Sequence, residues 1–176
     1  MMHLERFRLR QAGMVLLVSL VLLLLLSLIG LSSMQAALTQ QKIAGSFWHR
    51  NQSLQSAESG LRLGELLVRR ASAGLTLCQS IATCVPPAEA FSVVGSGTHP
   101  VSGIKWVALK GGVYGIQFLG PAVGLTHLPA QTTAAVYRVT AVGLHGQLRT
   151  VLESTYARVE EEGGSRFRRV AWRQLQ

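Results

Sequence analysis

Two cysteines, five histidines and a run of arginines near the end are the residues of this 176-residue chain with the most chemistry to offer. Cys78 and Cys84 stand six apart, but two thiols do not fill a tetrahedral zinc shell, and the nearest imidazole downstream, His99, has no partner motif. His49, His99, His127 and His145 likewise share no metal-ligand spacing. Ser, His and Glu all occur, yet no GxSxG elbow marks a nucleophile. GSGTHP (Gly95 to Pro100) lacks the Lys-Ser or Lys-Thr ending of a phosphate loop and reads as a surface turn. All 8 acids are Glu, and the absence of Asp removes EF-hand loops, Walker-B magnesium ligands and Asp-oriented triads. Arg166, Arg168 and Arg169 form a basic patch that could touch DNA or anionic lipid, but flanking Phe167, Val170 and Trp172 also fit a last strand with Arg on its wet face, which is the favoured reading. The residues therefore predict no enzyme, no metal and no cofactor, and nucleic acid is not an expected partner.

The elements that would position these residues begin with an apolar run. The chain is 48% apolar and 14% charged, with 17 basic against 8 acidic residues, which suits one compact domain plus an appendage. From Met14 to Leu31 only Ser19, Ser27 and Gly30 are not strongly apolar. As a helix this run spans roughly 27 Å, close to the ~30 Å hydrocarbon core of a bilayer. Arg6, Arg8 and Arg10 precede it, whereas the first charges after it are Lys42 and Arg50, so the positive-inside rule places the N-terminus in the cytoplasm and the chain from about Gln35 outside. A cleaved secretory signal and a retained anchor compete for this segment. Its length exceeds the ~7 to 15 residues of a signal h-region, and Ser32, Ser33, Ala36 and Ala37 make an imperfect peptidase site, so retention is favoured. In the oxidising compartment that follows, Cys78 and Cys84 are expected to form a disulfide contributing about 2 kcal/mol.

No Pro interrupts the chain before Pro86, so the helix is expected to continue from Gln35 to about Ala73. Leu54, Ala57, Leu61, Gly64 and Val68 give one apolar stripe, with Glu58/Arg62 and Glu65/Arg69 as i,i+4 pairs. Gly30, Gly45, Gly60 and Gly64 each lower helix stability, so a bend or local melting is expected near one of them, Gly45 first, and Gly74 is the expected C-cap. Beyond it, IKWVAL (Ile104 to Leu109) and VYGIQFL (Val113 to Leu119) flank a Gly turn. AAVYRVTAV (Ala134 to Val142), the turn GLHG (Gly143 to Gly146) and QLRTVLESTYARV (Gln147 to Val159) form a second hairpin. The expected fold is α+β: a long N-terminal helix, membrane-spanning in its first half, packed on an antiparallel sheet of about four strands. Glu160 to Glu162 is expected as a solvated loop, and the loops around Gly95 to Ser102 and Gly120 to Ala130 as partner surfaces.

These residues resemble a family. A short basic leader ending at Gly13, followed without a break by a hydrophobic helix, looks like a class III signal read by prepilin peptidase. RQAGMVLLVSLVLLLLLSLIGLSSMQ, QKIAG (Gln41 to Gly45), QSAESGLRLGE (Gln55 to Glu65), TVLESTYARV (Thr150 to Val159) and the closing RFRRVAWRQL are similar to the PilX-type minor pilins of type IV pili. The resemblance implies cleavage between Gly13 and Met14, N-methylation of Met14, and four segments: a leader (1–13), a transmembrane helix (14–34), the outer half of the helix (35–74) and a β-rich head (75–176). It also implies a pilin-like fold and a subunit that primes filament assembly at or near the tip, supporting adhesion and twitching. The implied partners are other minor pilins, the major pilin, prepilin peptidase, the inner-membrane platform and a tip adhesin. Most pilins carry Glu at the fifth mature position, where this chain has Val18. An apolar residue suits a first subunit, which has no earlier amine to neutralise a buried carboxylate. A minor pseudopilin of type II secretion and a single-pass anchored binding domain are the alternatives.

Overall fold

The computed structural model describes the backbone of residues 3–71, 74–125, 128–161 and 163–175, with side chains from Met14 onward in the first helix. The chain divides into two compact units, Met1–Ser46 and Phe47–Gln176. Helix α1 (His3–Ala71) contributes to both. In the first unit, every side chain from Met14 to Ser46 is exposed, and none from Met14 to Gln41 is ionisable. Within the apolar run from Met14 to Leu31 both hydroxyls bond to the helix backbone, Ser19 Oγ donating to Leu16 O (2.8 Å) and Ser27 Oγ to Leu23 O (2.8 Å), and just beyond it Ser32 Oγ donates to Leu28 O (3.0 Å). That arrangement leaves no side-chain polar group of the run in need of water, the condition a hydrocarbon environment imposes. Helical hydrogen bonding continues through Gly30 and Gly45, so the expected melting near Gly45 does not occur. The cap expected around Gly74 involves Ser72 and Ala73, which lie outside the described residues.

In the second unit the helix lies on a six-stranded antiparallel meander. The strands are β1 (Gly97–Thr98), β2 (Lys105–Leu109), β3 (Gly112–Ala122), β4 (Ala134–His145), β5 (Leu148–Glu161) and β6 (Gly164–Gln174), and each pairs with its chain neighbours. Four strands are marked by alternation in the sequence. The other two lie at the sheet edges: β1 is only two residues long, and β6 is built from the arginine-rich tail.

The helix buries a face of small residues. Ser53, Ala57, Gly60, Leu61, Gly64, Glu65 and Val68 are buried, while Leu54 of the expected stripe is half-buried. Opposite them lie Tyr114, Tyr137, Val139, Ala141, Leu152 and Tyr156. Two glycines set the spacing. A Cβ on Gly64 would lie 2.4 Å from Val139 Cγ1, and one on Gly143 would lie 1.8 Å from the carbonyl oxygen of Ser53. Gly143 therefore belongs to β4 and not to the expected GLHG turn; a strand interior tolerates Gly where another backbone must come this close. The hairpin turns three residues later, at Gly146 and Gln147.

The other sheet face is covered by the connection between α1 and β2, which includes α2 (Ile81–Cys84) and a 3-10 turn (Ala88–Phe91). Ala90 of that turn packs with Ile104, Trp106, Val113, Val142 and Val151. A smaller cluster of Ala134, Ala157 and Val159 closes the far end.

Candidate functional site

The residues the sequence singles out do not gather at one point. Gly13 lies in the backbone of α1, and Met14 and Val18 follow on the exposed apolar run, Val18 at 53% exposure. That run, which starts at Met14, is long and apolar enough to cross a membrane, and no part of it is buried. Its chemistry is uniform hydrocarbon, with Val18 adding no charge where a carboxylate would need a partner.

Cys78 and Cys84 are joined in a disulfide, with Cα atoms 5.2 Å apart, around α2. Ser80 and Thr83 form a reciprocal capping box inside the loop. The loop is fastened to the sheet by groups that alternation alone would assign to solvent. Gln117 Nε2 on β3 donates to the carbonyls of Thr83 (2.6 Å) and Val85 (3.1 Å). Arg138 Nη1 on β4 donates to Cys84 O (2.6 Å) and to Gln117 Oε1 (3.2 Å). Glu153 on β5 faces Arg138 Nε at 3.3 Å, a charge contact without hydrogen-bond geometry, and accepts from Arg173 Nε on β6 at 3.0 Å. The four side chains thus cross the sheet from β3 to β6. Burial pushes the Arg138 guanidinium below its ordinary range, with Glu153 opposing the fall and Arg173 adding to it. Arg149, also lowered by burial, holds the next stretch through Ala90 O (3.0 Å) and Val93 O (2.7 Å).

On the helix side, Glu65 overturns the expected pairing with Arg69. Its carboxylate is buried and takes both Arg169 Nε (2.8 Å) and Nη2 (2.9 Å) from β6, together with Ser154 Oγ (2.9 Å) from β5. Arg69 instead donates to the Tyr156 hydroxyl. The bond to Glu65 raises the Arg169 guanidinium above its ordinary range, against the opposing pull of burial. A bidentate, shape-matched pair outcompetes an i,i+4 pair on an exposed helix face, which gains only a few tenths of a kcal/mol, about 0.2–0.5.

The tail arginines are therefore strand residues with carboxylate partners: Arg169 with Glu65, and Arg166 with Glu161 at 3.3 Å. Glu160 and Glu161 end β5 and do not form a loop, Glu160 pairing with Arg158; Glu162 lies outside the described residues. Of the loops expected to face partners, Gly97–Thr98 form β1, Ser102 is buried, and Gly120 to Ala122 belong to β3. His127 and the neighbouring Thr126 lie outside the described residues.

Among the described residues, no three His, Cys, Asp or Glu side chains come together as a metal site. His49 and His145 stack loosely beside Trp48, with ring centroids 5.0 Å apart. Glu89, His99 and Ser102 meet although nothing in their spacing announces it. Ser102 Oγ donates directly to Glu89 Oε1, and His99 Nδ1 lies 3.5 Å from the same oxygen. A relay needs the imidazole between hydroxyl and carboxylate, so this arrangement is not a nucleophilic triad.

Comparison with known proteins gives one match: residues 12–62 fit the family model described as PilX N-terminal. No curated protein and no solved structure matches the chain.

Proposed function

We propose that this chain, whose residues 12–62 belong to the PilX N-terminal family, a type IV pilin-like family, is a minor pilin that primes type IV pilus assembly at or near the filament tip, in support of pilus biogenesis, adhesion and twitching. The observation that carries the reading is the family match over a helix that has no ionisable side chain from Met14 to Gln41 and buries none of that stretch. Such a surface requires lipid or the same surface of neighbouring subunits, and exchanging one for the other is nearly neutral in hydrophobic free energy. Assembly is then driven from outside the subunit, by an ATP-powered inner-membrane platform, and the protein performs no covalent chemistry.

In this reading residues 1–13 are the leader and 14–34 the membrane span, with the N-terminus cytoplasmic. The outer half of the helix (35–74) and the head (75–176) lie outside the inner membrane and later on the pilus. Prepilin peptidase cuts after Gly13 and methylates Met14. Val18 removes the carboxylate that would need an earlier subunit's amine, which suits a first position among other minor pilins, the major pilin and a tip adhesin.

The test is the intact mass and N-terminal residue of the protein isolated from its own membrane. A chain beginning with methylated Met14 supports the proposal. One that begins at Met1 or Met2, or after Ser33, overturns it in favour of an anchored or secreted domain.

A further inference from the structure

The connection that covers the outer sheet face lines an open cavity of about 510 Å³, within the roughly 300–1,000 Å³ range of ligand pockets. Its walls include Val85, Pro86 and Val101, and its polar side chains include Glu89, His99 and Ser102. Glu89 is 10% exposed and is held by Ser102 and His99 through Oε1 alone, so Oε2 accepts no hydrogen bond from any described residue. Glu65 and Glu153, the buried acids of the helix and the sheet, each face an arginine of the same chain, as do Glu160 and Glu161 at the end of β5. In a protein of net charge +9, the Glu89 carboxylate keeps a vacant oxygen beside apolar walls. The apolar wall reaches the surface at Val101, which is 67% exposed.

From this geometry we infer that the cavity receives a lysine or arginine side chain presented by a partner protein, the aliphatic stem lying on Val85, Pro86 and Val101 and the cationic head meeting Glu89 Oε2. Long cationic side chains combine these two chemistries: the stem replaces water on apolar surface, and the head makes a charge-assisted hydrogen bond that an uncharged isostere lacks. The inference does not depend on filament assembly and holds equally for an anchored head.

The test uses the full chain in detergent micelles, with amide NMR shifts at Glu89, His99 and Ser102 as the readout. Nα-acetyl-lysine N-methylamide should give saturable shifts at these positions, and the norleucine analogue should bind about tenfold more weakly or worse, since a hydrogen bond between charged groups is the difference. Glu89→Gln, which keeps the shape and an acceptor for Ser102, should erase that preference. Val101→Lys, at an exposed position, should fill the cavity from the rim and abolish saturation by the added lysine. Equal affinity for the two probes, or a lysine preference that survives Glu89→Gln, overturns the inference. Tighter binding of n-butylammonium than of the lysine derivative also overturns it, assigning the cavity to free amines.

Discussion

Replacing Gly143 by Ala tests whether backbone proximity holds the helix on the sheet. The added Cβ would lie 1.8 Å from Ser53 O and 2.7 Å from Ala57 N, both backbone atoms of α1 with no side-chain freedom to yield. A carbon needs about 3.3 Å from a carbonyl oxygen, so the helix must retreat by roughly 1.5 Å. That retreat separates Ser53 Oγ from Thr150 Oγ1, now 2.7 Å apart and buried, and loosens Ala57 and Leu61, which are 0% and 2% exposed. Overpacking costs about 1–3 kcal/mol and the lost hydrogen bond about 1 kcal/mol more, and because the atoms met are backbone the loss is expected in the upper half of the resulting range of about 2–4 kcal/mol. At about 3 °C per kcal/mol the midpoint should fall by about 10 °C. Near-ultraviolet circular dichroism of the full chain in micelles reports it, because Tyr114, Tyr137 and Tyr156 all line the seam. Gly95→Ala, where a Cβ meets nothing within 4 Å, is the matched control. Should both variants melt within about 2 °C of the unsubstituted protein, the close approach would not be what fixes the helix.

Three further outcomes are expected. Glu65→Gln leaves Arg169 without its carboxylate and should destabilise the head by about 2 kcal/mol in urea unfolding, less than a fully buried pair because Arg169 is partly exposed; an unchanged midpoint would show the pair to be ornamental. Reducing the Cys78–Cys84 bond should cost about 2 kcal/mol, with faster hydrogen exchange confined to residues 78–85, since Gln117 and Arg138 still grip the loop carbonyls; exchange spreading into β4 would contradict that strapping. On the proposed pilus function, Val18→Glu should raise incorporation along the shaft in isolated pili, and incorporation at the unsubstituted frequency would remove the explanation offered for Val18.

The sequence made the helix and the central hairpins legible because their signals are local. Leu-rich sequence without Pro gives α1, and period-two alternation marks the strands that supply most of the sheet. What it hid is pairing at long range. Glu65 and Arg169 are 104 residues apart, and nothing near either distinguishes that partner from Arg69. Gln117, Arg138 and Glu153 interrupt alternation only as isolated polar residues, and their shared network exists only once β3, β4 and β5 are in register. Gly143 followed the same rule. Beside His145 and Gly146 it looks like turn sequence, and only the helix lying across it shows why a strand residue there lacks a side chain. The edge strands differ: β1 is too short to have a period, whereas Phe167, Val170 and Trp172 already offered a last strand for β6, and only the carboxylate partners of its arginines were hidden.

The clasp between Glu65 and Arg169 gives the molecule a means of registering its own completion. The meander can form hairpin by hairpin as the chain lengthens, each strand finding the one made just before it. The carboxylate of Glu65, however, waits on the helix until the last strand arrives. A chain interrupted before β6 would hold a buried, unneutralised charge against the sheet and would keep its helix loosely seated, a state open to proteolysis. Quality control acting on this protein therefore has a sharp physical distinction to work with, set by one residue near its end.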